Sequence, residues 1–234
     1  MGRIVAIGGG ELDTTHRINE CIVKLAGKKN PNFLFIGTAS HDAEGYILGI
    51  QNEFENLGCV VSALRLTTKT YTDEEINNIL EHADIIYVGG GDTSFMMDTW
   101  KKYGLDEKLK QIYYNDRAVL SGLSAGAICW FSCGHSDSSI FEVDGQVGYG
   151  WVNGLLEIFP YAFCPHYNER GEILDSMIGE QTSPCLALDN NVAFVEQDGC
   201  ISYIASDNSS KAYVIKIIDG MLDKQEQEVK VYRI

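Results

Sequence analysis

The sequence predicts an α/β fold: a mostly parallel sheet covered by helices on both faces, followed by a C-terminal third rich in antiparallel strands. Three observations predict it. Short runs such as "RIVAI", "NFLFI", "DIIYV" and "AVLSG" are apolar nearly throughout, as strands buried on both faces are. They alternate with stretches whose apolar residues recur at helical spacing. Beyond about residue 135 that alternation gives way to strand-like runs punctuated by Asp-Gly turn signals.

In order, "RIVAIGGG" is a strand opening into a glycine loop. In "THRINECIVKLAG", Ile18, Cys21, Ile22 and Leu25 share one helical face. "NFLFIGTAS" is a second strand, "AEGYILGIQNEFENLG" a helix closed by Gly58, and "VVSALRLT" a third strand. "TDEEINNILEHA" begins with Thr72 as N-cap and Glu75 three residues on, a capping box that satisfies two orphan backbone donors. "DIIYVGGG" is the fourth strand. "TSFMMDTWKKYGLDEKLKQIYYND" makes one or two helices, with Asp92 as N-cap. "AVLSGLS" is the fifth strand, and "AGAICWF" begins another helix. Further on, "SSIFEVDGQVGYG" is a loop with short strands, "YAFCPHY" a strand end and "RGEILDSMIGEQ" a short helix. The remainder is strands and hairpins turning at Asp198-Gly199 and Asp219-Gly220.

At 234 residues the chain is expected to form one domain with a large core. Its 33 acidic and 18 basic residues leave a net charge of −15, which argues against nucleic acid and anionic membrane surfaces as partners. The seven cysteines are scattered, odd in number and without a C-x-x-C pair, the usage expected of reduced, buried thiols in a cytoplasmic protein. The first residues enter a strand at once rather than a signal-peptide layout. No apolar run approaches the roughly 18 residues of a membrane span.

Open parallel sheets bind ligands at the carboxyl ends of their strands. Four loops leave those ends: Gly8 to Gly10, Thr38 to Ser40, Gly89 to Gly91, and the turn at Ser124. Ser124 stands in Gly122-Leu123-Ser124-Ala125-Gly126, between a strand and a helix. That G-x-S-x-G context is a nucleophile elbow, with the Ala125 N–H aimed at a developing oxyanion. A small serine filling a tight packing site is the competing reading.

A nucleophilic serine needs a base. His16 and His82 sit on helices as surface residues, His41 in a loop, and His135 beyond the first turns of the helix after Ser124. His166 ends an apolar strand, with Pro165 fixing the backbone before it. It is either a rigidly mounted base or a buried structural histidine. Glu11 and Asp92 would repel a phosphate at either glycine loop, and G-x-G-x-x-G is absent. Gly89 to Gly91 could instead offer a backbone N–H beside Ser124. No histidine pair has metal-ligand spacing, so no metal is expected.

Together, "YVGGGDTSFMMDTW", then "GLSAGA", then "PHY" resemble the peptidase E (aspartyl dipeptidase) family of serine peptidases, relatives of cyanophycinase. The resemblance extends from the first strand to about residue 195. It implies a three-layer α/β/α fold similar to class I glutamine amidotransferases and a single peptidase domain over residues 1–234. It also implies Ser124 as nucleophile, His166 as base, the amides of Gly91 and Ala125 as oxyanion hole, a short-peptide substrate, and no cofactor. The chain departs from the family pattern at Asp92, where G-G-G-N-T is usual. The third catalytic position, commonly a glutamate, falls on Asn190, with Asp189 beside it. Asp137, in "GHSDSS", is another candidate to orient His166. Arg170, in the shortened segment after His166, is the candidate to grip the carboxylate of an acidic substrate; a solvated arginine at a helix start is the alternative. Two rivals stand beside the peptidase. An esterase or acyltransferase would order its triad serine, acid, histidine, which Asp137 would satisfy. A non-catalytic binding protein is favoured by the missing glutamate at position 190.

Overall fold

The computed structural model describes residues 2–138 and 148–233. Five parallel strands form its centre: β1 (Arg3–Ile7), β2 (Asn32–Ile36), β3 (Val60–Leu64), β4 (Ile85–Val88) and β5 (Val119–Leu123). They lie in the order β1-β5-β4-β2-β3. Beyond β1 the sheet continues through β10 (Val192–Gln197), β11 (Cys200–Ala205) and β14 (Val229–Val231). β10 runs antiparallel to both β1 and β11.

Successive residues of a strand face opposite sides, so each central strand feeds two cores. Val5 and Ile7 pack with Ile18 and Ile22 of α1 (His16–Leu25) and with Ile47, Ile50 and Phe54 of α2 (Glu44–Asn56). Ile4 and Ala6 join the opposite cluster. It takes in α3 (Asp73–Glu81), α4 (Thr93–Tyr103) and α5 (Leu105–Tyr114) through Ile76, Trp100 and Leu109. The Thr72–Glu75 capping box forms at α3, with both reciprocal hydrogen bonds made. The long stretch after Asp92 is two helices, divided at Gly104, whose φ of 60° closes α4 in the left-handed conformation. No helix among the described residues is long and apolar enough to cross a membrane.

The C-terminal third departs from a single sheet. β6 (Phe131–Ser136), β7 (Gly150–Asn153), β8 (Phe159–Cys164), β9 (Cys185–Leu188), β12 (Ala212–Ile218) and β13 (Met221–Glu226) build a second sheet in the order β13-β12-β9-β8-β6-β7. Phe131, Phe163 and Leu186 on one face pack into the core shared with the larger sheet. The other face carries Cys133, Cys164 and Cys185 against Tyr167 and Leu174 of α7 (Tyr167–Met177). The expected turns are present: Asp198-Gly199 and Asp219-Gly220 both have two consecutive positive φ values, the signature of a type I′ hairpin.

One element is corrected. The helix begun by "AGAICWF" is a single turn, α6 (Ala125–Ile128), after which the chain enters β6. Cys129, Trp130 and Phe131 are fully buried. A short run buried on all sides has no polar face to reveal a period, so helix and strand look alike in sequence. His135 therefore stands in a strand, not beyond a helix. The short strands expected within "SSIFEVDGQVGYG" fall mostly outside the described residues. Six cysteines are buried and unbridged; Cys200 is exposed.

Candidate active site

The site forms where β1, β4 and β5 end side by side, with Ile7 beside Leu123 and Val88 beside Gly122. The loops at Gly8 to Gly10 and Gly89 to Gly91 thereby meet the Ser124 turn. Ser124 has φ 54° and ψ −112°. A side-chain-bearing residue held in so sparsely populated a conformation costs on the order of 1–3 kcal/mol. Its neighbours hold it there. The Ser124 N–H donates to the Ile7 carbonyl at 3.1 Å, and its own carbonyl accepts from Ala127 and Ile128. A Cβ on Gly122 would overlap the Gly126 carbonyl, and one on Gly126 the Val88 carbonyl. Only glycines allow the strand and the short helix to approach so closely.

His166 arrives from β8 as the N-cap of α7, in the left-handed region at φ 52°. Its N–H donates to the Gly8 carbonyl at 2.8 Å. Its Nε2 lies 3.0 Å from Ser124 Oγ, and its Nδ1 lies 2.6 Å from Asn190 Oδ1. An oxygen can only accept, so Nδ1 carries the hydrogen and Nε2 is left to accept from the serine hydroxyl. Asn190 in turn donates from Nδ2 to Glu169 Oε1, and its backbone N–H donates to Asn168 Oδ1 at 2.8 Å. Burial first, and then the Arg170 charge, push the His166 pKa below its usual 6.5, against Asn190, Glu169 and Asp137, which favour protonation. Burial and the Arg170 charge both favour the neutral imidazole that an acceptor must be.

The first glycine loop, one of the four candidate loops at the strand ends, packs directly against the base. Gly9 has φ 156°, and a Cβ there would overlap both Asn190 Oδ1 and His166 Nδ1. Its carbonyl accepts from the Asn191 N–H at 2.9 Å. Gly8 thus anchors the histidine and Gly9 the asparagine segment. Its position, a glycine run at the carboxyl end of a central strand, marks it in the sequence. Asn168 and Glu169 were missed, because they meet Asn190 only through the fold.

Other candidates lie elsewhere. Among the described residues, the ring nitrogens of His166 are bonded to Ser124 and Asn190. The Asp189 carboxylate accepts from the Lys211 backbone N–H at 2.9 Å. Asp137 lies 3.9 Å from Arg170 Nη2. Neither is the group on Nδ1. Arg170 is also corrected: it is buried, only 5% exposed, rather than solvated or open to substrate. It donates to the His135 carbonyl at 3.2 Å, and its guanidinium sits 5.0 Å from the Tyr149 ring centroid. His135 itself is buried beside Cys164, with its pKa pushed down to about 4 by burial. Asp92 caps α4 by accepting from the Phe95 N–H. A cavity of about 350 Å³ opens over Ser124 and His166, lined by Glu11, Leu12, Tyr46, Gly91 and Leu123.

Residues 4–204 match the model of peptidase family S51. The chain belongs to that family. It is therefore a peptidase, and the peptidase E resemblance in its motifs reflects membership. The S51 chain is 31% identical over 228 residues to the uncharacterized peptidase YgaJ of Bacillus subtilis (strain 168), covering 94% of each protein. Its mixed α/β fold is similar to the crystal structure of a peptidase from an acI-B1 Actinobacterium: TM-score 0.70, 20% identity, 98% of this chain and 95% of that one. It is similar also to a putative peptidase E protein from Listeria monocytogenes EGD-e: TM-score 0.65, 21% identity, 87% and 98%.

Proposed function

We propose that this S51 chain is a serine peptidase that cleaves short peptides through an acyl-enzyme on Ser124. One observation carries the reading: Ser124 Oγ, His166 and Asn190 form a continuous hydrogen-bonded line of 3.0 and 2.6 Å at the carboxyl edge of the sheet. His166 Nε2 takes the Ser124 proton as Oγ attacks the scissile carbonyl, then passes it to the leaving amine. Asn190 keeps the imidazole turned and in the correct tautomer. The backbone N–H groups of Ala125 and Gly91 hold the oxyanion. Water, activated by the same histidine, hydrolyses the acyl-enzyme. No step calls on a metal or cofactor. The reading goes with a single peptidase domain, a nucleophile elbow, a cytoplasmic setting, and a three-layer α/β/α core of the kind found in class I glutamine amidotransferases.

An acidic residue on the acyl side finds no support in Arg170, which is buried against Asp137. Among the described residues lining the cavity, the acidic side chain is Glu11. A carboxylate there disfavours an acidic neighbour and supports a neutral or cationic one. The chain order serine, histidine, asparagine also speaks for the peptidase over an esterase with its acid before the histidine.

A fluorophosphonate probe tests the reading. Wild type should be labelled and the Ser124→Ala variant should not, while wild type cleaves Ala-Leu and Lys-Leu better than Asp-Leu. Absence of labelling in wild type would support a binding protein. Labelling with turnover of esters alone would support the esterase.

A further inference from the structure

We propose that Glu169 is a positioning residue of this site: it holds the Asn190 amide with its oxygen toward His166, and so sets the imidazole tautomer that can accept the Ser124 proton. The proposal rests on the serine-peptidase reading above and adds a fourth member to its hydrogen-bonded line.

The two ends of an asparagine amide are almost the same size, so packing alone does not choose which end meets the histidine. The consequences differ. With oxygen toward Nδ1, the ring carries its hydrogen on Nδ1 and presents a lone pair to the serine. With NH2 toward Nδ1, the ring carries its hydrogen on Nε2 and can take no proton from Ser124. Something must decide, and the group on the far side of the amide is a carboxylate, whose oxygens accept. Glu169 Oε1 lies within hydrogen-bond reach of Asn190 Nδ2. Reversing the amide would set oxygen against oxygen there. The NH2 is thus committed to Glu169, and Oδ1 is left 2.6 Å from the ring.

The helix makes this arrangement rigid. His166 caps α7, and Glu169 stands three residues on in its first turn, with its N–H bonded to the His166 carbonyl at 2.9 Å. Asn168, from the same turn, accepts the Asn190 backbone N–H. Base and clamp are therefore one structural unit. Among the described residues, the charged groups that act on the imidazole are Glu169 and Arg170 from α7 and Asp137 beyond β6, and Glu11 lines the cavity with it. Glu169 is exposed, so water screens its charge, and orientation is the larger effect.

Glu169→Lys supplies a donor where the acceptor stood, and should turn the amide over. A wrong tautomer in a serine triad costs on the order of 10⁴ in turnover. We expect kcat to fall by at least about 100-fold, with KM little changed. Adding Asn190→Asp should restore at least about tenfold of that loss, because a carboxylate accepts from both the introduced lysine and His166. The acid limb of kcat/KM should also move to higher pH in the double variant, since a carboxylate now touches the ring. A merely structural role for Glu169 predicts neither the rescue nor the moved limb. Glu169→Gln, which can still accept, should stay within about tenfold of wild type. Wild-type kcat in Glu169→Lys overturns the proposal, as does a folded double variant no faster than Glu169→Lys. If the lysine variants fail to fold, Glu169→Ala, at an exposed position, decides: undiminished kcat overturns the proposal, and a loss of tenfold or more supports it. Failure of the underlying reading is separate, shown by turnover that survives Ser124→Ala.

Discussion

Gly9 lies directly against His166: a Cβ built on the glycine would overlap the imidazole Nδ1 and the Asn190 Oδ1 bonded to it. The hydrogen bond that orients the base therefore runs over a bare Cα, and no other residue fits beneath it. Gly9→Ala must push the ring, the amide or the loop aside. Misplacing reacting groups by about 1 Å can cost on the order of 100-fold. We expect at least that loss in kcat from Gly9→Ala in protein that still folds, checked by steady-state kinetics beside a thermal melt.

Ser124 should show opposite effects on stability and activity. Its φ of 54° and ψ of −112° suit glycine better than serine. Ser124→Gly should raise unfolding stability by about 1 kcal/mol through relief of that strain. It should also lower turnover by several orders of magnitude. Denaturant melts and peptide hydrolysis on the same preparation check both. A less stable Ser124→Gly variant would mean that the turn is not strained.

The pH profile should follow the neutral state of His166. Burial and Arg170 hold its pKa below 6.5. Its proton leaves at lower pH than from a free histidine, so the acid limb of kcat/KM should lie below 6.5. Arg170→Met removes the cation and should move that limb upward, read on the folded fraction. A limb unchanged in that variant would leave burial alone as the cause.

His135 should make the fold acid-sensitive. Its pKa falls from 6.5 to about 4 on folding. Between those values the unfolded chain takes up a proton that the folded chain refuses, so stability drops as pH falls from 6.5 toward 4. At about 1.36 kcal/mol per pH unit of difference, wild type should lose about 2 kcal/mol more than His135→Asn between pH 7 and 4.5. Urea titrations of both proteins at the two pH values measure it.

Much of this protein follows from local pattern. The apolar runs of β1, β2, β4 and β5, the capping box at Thr72, the Asp-Gly hairpins and the strand–serine–helix turn are legible because each depends on residues within one or two turns of chain. Ser124 and His166 stand out as candidates for the same reason, each at the end of an apolar strand. The tertiary structure decided the rest. It sent the chain from one turn of helix into a second sheet at Phe131, a choice that a run buried on every side does not encode. It placed Asn190 rather than Asp189 or Asp137 on His166, buried Arg170 beneath Tyr149, and brought Gly9 under the imidazole. These relationships join residues far apart in sequence. The meeting of Gly9, Ser124 and Asn190 is set by the register in which β1, β5 and β10 pair, because register determines which loops share an edge, and a shared edge determines which polar atoms must satisfy one another.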